Sequence, residues 1–136
     1  MSNVPQDLRY TREHEWARLE DDGRVTVGVT DFAQEQLGDV VFLDLPEVDA
    51  SVEGGEPLGE VESTKSVSDL YAPLTGRIVE VNQECKDNPA AVNQDPYGEG
   101  WLVVVEPSDR TEFDGLMTPD EYAMFLEEEA GEGDEA

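Results

Sequence analysis

The sequence predicts a mostly β barrel or sandwich carrying a few short helices. Two observations support this: short runs of alternating apolar and polar residues recur along the chain, and Gly, Pro and Asp residues punctuate them. A third is that helical spacing is confined to brief segments and to one stripe near the C-terminus.

His14 to Glu20 alternates around Trp16 and Leu19, Asp21-Asp22-Gly23 turns the chain, and Arg24 to Thr30 places Val25, Val27 and Val29 on one face. This predicts a β-hairpin. Asp31 to Leu37 carries Phe32, Ala33, Gln36 and Leu37 at helical spacing, with Thr30 or Asp31 as N-cap and Gly38 as the stop. Val40 to Leu45 reads as a strand closed by Pro46, and Asp49 to Gly55 as a loop. Further strands are expected at Pro57 to Glu62, Val67 to Ala72, Arg77 to Asn82 and Trp101 to Glu106, which makes seven in all. Asn88-Pro89 would cap one helical turn through Val92. Thr118-Pro119-Asp120-Glu121 combines N-cap, N1 proline and capping-box carboxylate, and Tyr122, Phe125 and Leu126 follow as one apolar stripe. Beyond Glu127 the chain is almost wholly acidic, so residues 128–136 are expected to be a solvated, disordered tail.

The 136 residues suffice for one domain, because two cores of about 70 residues each would bury little area. Thirty-four acidic against eight basic residues give a net charge of −26. Nucleic acid and anionic membrane surfaces would repel such a chain. The longest apolar run, Trp101 to Val105, falls far short of the roughly 20 residues of a membrane span. Met1 to Tyr10 has no apolar signal core, so a soluble, cytoplasmic protein is expected. Two lysines against six arginines, with carboxylates spread along the whole chain, suggest a surface adapted to a salty, halophilic cytoplasm. Like-charge repulsion also favours a monomer.

Catalytic constellations are hard to find. Single Cys85 and single His14 rule out an internal disulfide and a histidine-rich metal site. His14, beside Trp16 in an expected strand, reads as a packed or surface residue, and Cys85 lies in a polar stretch with only Lys86 to activate it. No serine sits in a nucleophile elbow, and no glycines form a phosphate loop. Lys65 stands out in a chain that avoids lysine. It falls between two expected strands in Glu62-Ser63-Thr64-Lys65-Ser66-Val67-Ser68-Asp69, where a hairpin tip would expose it. Small hydroxyl neighbours leave its amine open to acylation, although an ordinary surface lysine paired with a nearby acid has the same local signature.

Several blocks, taken in order, resemble the H proteins of the glycine cleavage system. They are Tyr10-Thr11-Arg12-Glu13-His14-Glu15-Trp16, Gly28 to Gln34, Gly38 to Pro46, Glu60 to Pro73, Gly76 to Asn82 and Asn93 to Trp101. The resemblance implies a lipoyl/biotinyl-type barrel-sandwich hybrid over residues 1–127, with lipoic acid in amide linkage on Lys65. It implies a non-catalytic carrier that takes the aminomethyl group of glycine from a pyridoxal-phosphate decarboxylase to a tetrahydrofolate-dependent aminomethyltransferase. The dithiol then goes to dihydrolipoyl dehydrogenase, and a lipoate-attaching enzyme loads the lysine. Glu15 and Asp69 match the positions that line a cleft for the loaded arm. Thr64 and Ser66 around the lysine separate the chain from biotin carriers, which have methionines there. A lipoyl donor for other dehydrogenase subunits would use the same lysine, and an unmodified acidic binding module would leave it bare.

The Debye length is about 3 Å in molar salt and about 10 Å or more in dilute buffer, so the acidic surface repels itself mainly when dilute. The thermal midpoint is expected to rise between dilute and molar potassium chloride; an unchanged midpoint counts against salt adaptation.

Overall fold

The computed structural model describes residues 4–135, with side chains through Glu128. Among the described residues nine strands and five helices follow one another: β1 Arg9–Tyr10, β2 Glu15–Leu19, β3 Val25–Val29, α1 Asp31–Leu37, β4 Val40–Asp44, β5 Ser51–Val52, β6 Pro57–Ser63, β7 Val67–Tyr71, β8 Gly76–Val81, α2 Gln83–Asp87, α3 Ala91–Gln94, β9 Val103–Pro107, α4 Thr111–Asp114 and α5 Pro119–Glu135. Two antiparallel sheets result, one of six strands in the order β1-β2-β3-β9-β8-β5 and one of three in the order β4-β6-β7.

The main core lies between the sheets. Ala17, Val27, Ile78 and Val103 of the large sheet join Leu43, Val61 and Leu70 of the small one. A second, smaller core covers the first strands, where Leu8, Tyr10, Trp16 and Tyr122 are buried together. Successive residues of β2 thus serve different cores, Trp16 the small one and Ala17 the main one, as strand alternation requires. Tyr122 of α5 stacks on Tyr10 at 4.5 Å between ring centroids. The expected capping box forms: Thr118 N–H donates to Glu121 Oε1 and Glu121 N–H to Thr118 Oγ1.

The expected elements are present, with instructive differences. β1 and β5 are two residues each, too short for any periodicity to register, and β5 interrupts the expected loop Asp49–Gly55. α2 occupies the stretch that looks merely polar. Asn82 Oδ1 accepts from Cys85 N–H and starts one turn, which buries Cys85. That burial pushes the thiol up to about 11. α3 begins after Ala90 with no side-chain cap, so Asn88 contributes its carbonyl to Ala91 N–H rather than a capping side chain. His14 is not in a strand; it turns the chain into β2 with φ of 67°. α5 runs on to Glu135, through most of the segment 128–136 expected to be a disordered tail.

The Trp16 indole N–H donates to the Pro96 carbonyl at 2.9 Å, and its ring lies flush on Gly28, where an added Cβ would come within 2.7 Å of it. Gly28→Ala is expected to cost about 1–3 kcal/mol through overpacking, seen as a lower urea midpoint at unchanged slope.

Candidate functional site

β6 and β7 pair from Pro57↔Tyr71 to Glu62↔Val67, and Thr64-Lys65-Ser66 make the turn between them. Ser63 organises this turn. Its N–H donates to Ser66 O at 2.8 Å, and its hydroxyl oxygen accepts from Lys65 N–H and Ser66 N–H, both at 3.2 Å. A fourth bond, Thr64 N–H to Asp39 O at 3.0 Å, fastens the tip to the end of α1. The backbone at Lys65 is therefore fixed while its side chain is exposed. The stem lies over Gly38, whose φ of 77° favours glycine and whose missing Cβ leaves the space; a Cβ there would fall 2.8 Å from Lys65 Cε. Among the described residues Lys65 makes no ion pair, so the alternative of a lysine tied to a neighbouring acid is not what the geometry has.

A cavity of about 200 Å³ opens beside this turn. Phe32, Ala33, Gln36 and Leu37 of α1 form one wall, Ser66, Ser68 and Asp69 another, and Glu13, His14 and Glu15 the end. Glu15 and Asp69, from opposite sheets, thus border the same space. Asp69 is exposed, and the Tyr71 hydroxyl is 3.5 Å from its Oδ2. Glu15 is 1% exposed. Thr11 Oγ–H donates to its Oε1 at 2.7 Å and Tyr71 N–H to its Oε2 at 3.0 Å. Both bonds favour the carboxylate, yet burial outweighs them and pushes Glu15 up to about 7.

His14 and Glu13, to which the sequence assigns no role, both line the cavity. His14 Nδ1 lies 2.9 Å from the Tyr122 hydroxyl, and its ring contacts Phe32 and Phe125. Tyr122 also meets the Thr30 hydroxyl at 2.8 Å, and Thr30 caps α1 by accepting from Ala33 N–H. Helix α5 therefore braces two walls of the cavity at once. Cys85 does not border it, and Arg77 pairs with Asp49 and Glu106 elsewhere on the surface. Among the described residues no group of acidic, Cys or His side chains is placed to hold a metal.

Two small antiparallel sheets, with a lysine at a hairpin tip and an α-helical closure, define a fold of the lipoyl-domain type. The family model of the glycine cleavage H-protein matches residues 8–129. A glycine cleavage system H protein of Halalkalibacterium halodurans is 54% identical over 95% of this chain and 100% of its own length. One of Rubrobacter xylanophilus is 57% identical over 95% and 99% respectively. The crystal structure of a glycine cleavage system H protein from Mycobacterium marinum superposes with a TM-score of 0.82 at 50% identity, covering 88% of this chain and 96% of that one. The chain belongs to the glycine cleavage H-protein family, the lipoyl carriers of that system.

Glu15 keeps its proton in the native state at pH values where the unfolded chain has lost it. Its contribution to stability is therefore fully present below about pH 4.5, declines as pH rises toward 7 and is level above that. Glu15→Gln does not titrate. The variant is expected to gain up to about 3 kcal/mol relative to wild type between pH 4.5 and 8 in paired denaturation curves; a difference that stays constant with pH contradicts the buried, protonated carboxyl.

Proposed function

We propose that Lys65 anchors lipoic acid through an amide and that the chain works as a non-catalytic carrier between the enzymes of glycine cleavage. One observation carries this reading: an amine that makes no ion pair among the described residues, on a rigid turn, stands beside a largely apolar cavity bordered by Glu13, Glu15 and Asp69. The residues fit the group. The amine is accessible, the turn is braced by Ser63 and Asp39, and the space over Gly38 leaves the stem free to swing toward α1. When bound, lipoate supplies the redox-active disulfide that takes up and releases an aminomethyl group.

This chain's own residues hold and shield. Phe32, Ala33 and Leu37 keep water off the cavity floor, while Glu15 and Asp69 offer acceptors to a primary amine. A cation brought next to Glu15 favours the charged form and draws its pKa back down, so an arriving amine shifts the carboxyl toward ionisation. A tether replaces separate bimolecular encounters with delivery at high effective concentration. The expected partners are a pyridoxal-phosphate glycine decarboxylase, a tetrahydrofolate aminomethyltransferase, dihydrolipoyl dehydrogenase and a lipoate-attaching enzyme, in the cytoplasm. Residues 1–127 carry the function, and 128–136 add charge. The lipoyl-donor reading uses the same lysine, and no feature of the fold favours it.

Protein purified from its native cell is expected to show one lipoyl amide, mapped to Lys65 by peptide mass spectrometry. Lys65→Arg is expected to abolish glycine–bicarbonate exchange by the decarboxylase. Exchange retained in that variant would falsify the carrier role.

A further inference from the structure

The two faces of the small sheet differ in character. Leu43, Val61 and Ser68 form an inner row toward the core and cavity. Phe42, Glu62 and Val67 form an outer row across β4, β6 and β7, the one next to the Lys65 turn. Phe42 is 56% and Val67 54% exposed, and Val41, beside them at the shift in register, is 50% exposed. The following row is Asp44, Glu60 and Asp69, all carboxylates, the last of which, on the edge strand β7, also borders the cavity. Phe42 and Val67 therefore flank Glu62, between the lysine turn and an acidic border. Neither β-structure nor the core needs these two side chains to be apolar, and exposed apolar groups set within a charged rim mark contact surfaces.

We propose that Phe42 and Val67 seat the enzyme that acylates Lys65, and that this enzyme presents an apolar socket with a basic rim. The proposal rests on Lys65 being the lipoyl anchor. The occupant follows from reach: the attaching enzyme meets a bare amine on a four-carbon stem, so its body must cover the sheet beside the turn. Enzymes that meet the arm afterwards can stand off by the arm's length. The small residues Thr64 and Ser66 at the tip give little to grip, which leaves the outer row as the anchor, while the acidic border attracts basic residues. In the step itself the unprotonated Lys65 Nζ attacks the acyl carbon of lipoyl adenylate made from lipoate and ATP. The C–N amide bond forms, the acyl C–O bond to phosphate breaks, AMP leaves with that electron pair, and the nitrogen gives one proton to solvent.

The test is the Michaelis constant of a lipoate ligase, with ATP and lipoate, for the unlipoylated protein, followed by intact mass. Phe42→Thr with Val67→Thr, which retains β preference, is expected to raise KM at least about tenfold, the effect of losing one apolar anchor, with kcat little changed. Acetylation of Lys65 by a water-soluble succinimidyl acetate should proceed at the wild-type rate. Met124→Thr, at an exposed apolar residue on α5, should leave KM unchanged. An unaltered KM in the double variant overturns the proposal, as does an equal rise with Met124→Thr or a parallel fall in chemical acetylation. So does a defect confined to the fully lipoylated variant's reduction by dihydrolipoyl dehydrogenase or its glycine exchange, since that assigns the patch to another partner. Wild type left unacylated at Lys65 instead removes the lipoyl reading, and this proposal with it.

Discussion

The carboxyl of Glu15 is the polar tie between the two sheets. It projects from β2 of the large sheet and accepts the Tyr71 N–H at the end of β7, in the small one. Without it that edge-strand donor would face the protein interior unpaired, which costs about 1–3 kcal/mol. Thr11 takes the other oxygen, and its own hydroxyl oxygen accepts from Glu15 N–H, so the tie is locked to the turn that leads into β2. Because β7 continues from the Lys65 turn, this bridge works with the shared core to set the spacing between the lysine and the buried end of the cavity. A residue chosen only for binding an amine would not need such bonds. One chosen only for joining sheets would not need to border a cavity.

Charge sets the second constraint. A chain with net charge −26 offers any lysine many partners, yet Lys65 makes no ion pair among the described residues. Three of the arginines behave otherwise: Arg18 pairs with Glu20, Arg24 with Asp22, and Arg77 with Asp49 and Glu106. The turn achieves this by local composition. Its immediate neighbours are hydroxyl residues, and Ser63 uses its oxygen on backbone N–H groups, leaving no acid within the turn to bind the amine. These exposed pairs add little stability in themselves.

Much of this was legible in the residues. The β2–β3 hairpin and α1 follow from alternation, Asp-Gly punctuation and the Thr30 and Gly38 caps, and α5 follows from its capping box. What escaped did so for physical reasons. β1 and β5 contain one apolar–polar alternation at most. β3 is buried on both faces, by the main core and by the Trp16 side, so the alternation of its valines understates its burial. α2 shows a single apolar residue, Cys85, whose burial depends on a cap by Asn82 that sequence alone reads as a strand end. Lys65 stands out by its rarity and its place at a turn, and family resemblance adds the lipoyl role and marks Glu15 and Asp69. Their convergence was not legible, because the cavity draws on segments more than fifty residues apart.

The C-terminal helix braces the cavity as well as closing the small core. A lipoyl-type body needs only its two sheets to present a lysine, and α5 adds no residue to the turn. It contributes Tyr122, which touches both His14 in the cavity wall and Thr30 at the N-cap of α1. Since α1 supplies the apolar floor and its C-terminal glycine underlies the lysine stem, one hydroxyl group from α5 fixes both sides of the route from anchor to carboxyl. Rigidity is required there because a tethered group gains effective concentration only where the receiving surface is already formed. Flexibility belongs to the arm and order to the path it takes, and the helix is what keeps that path in place.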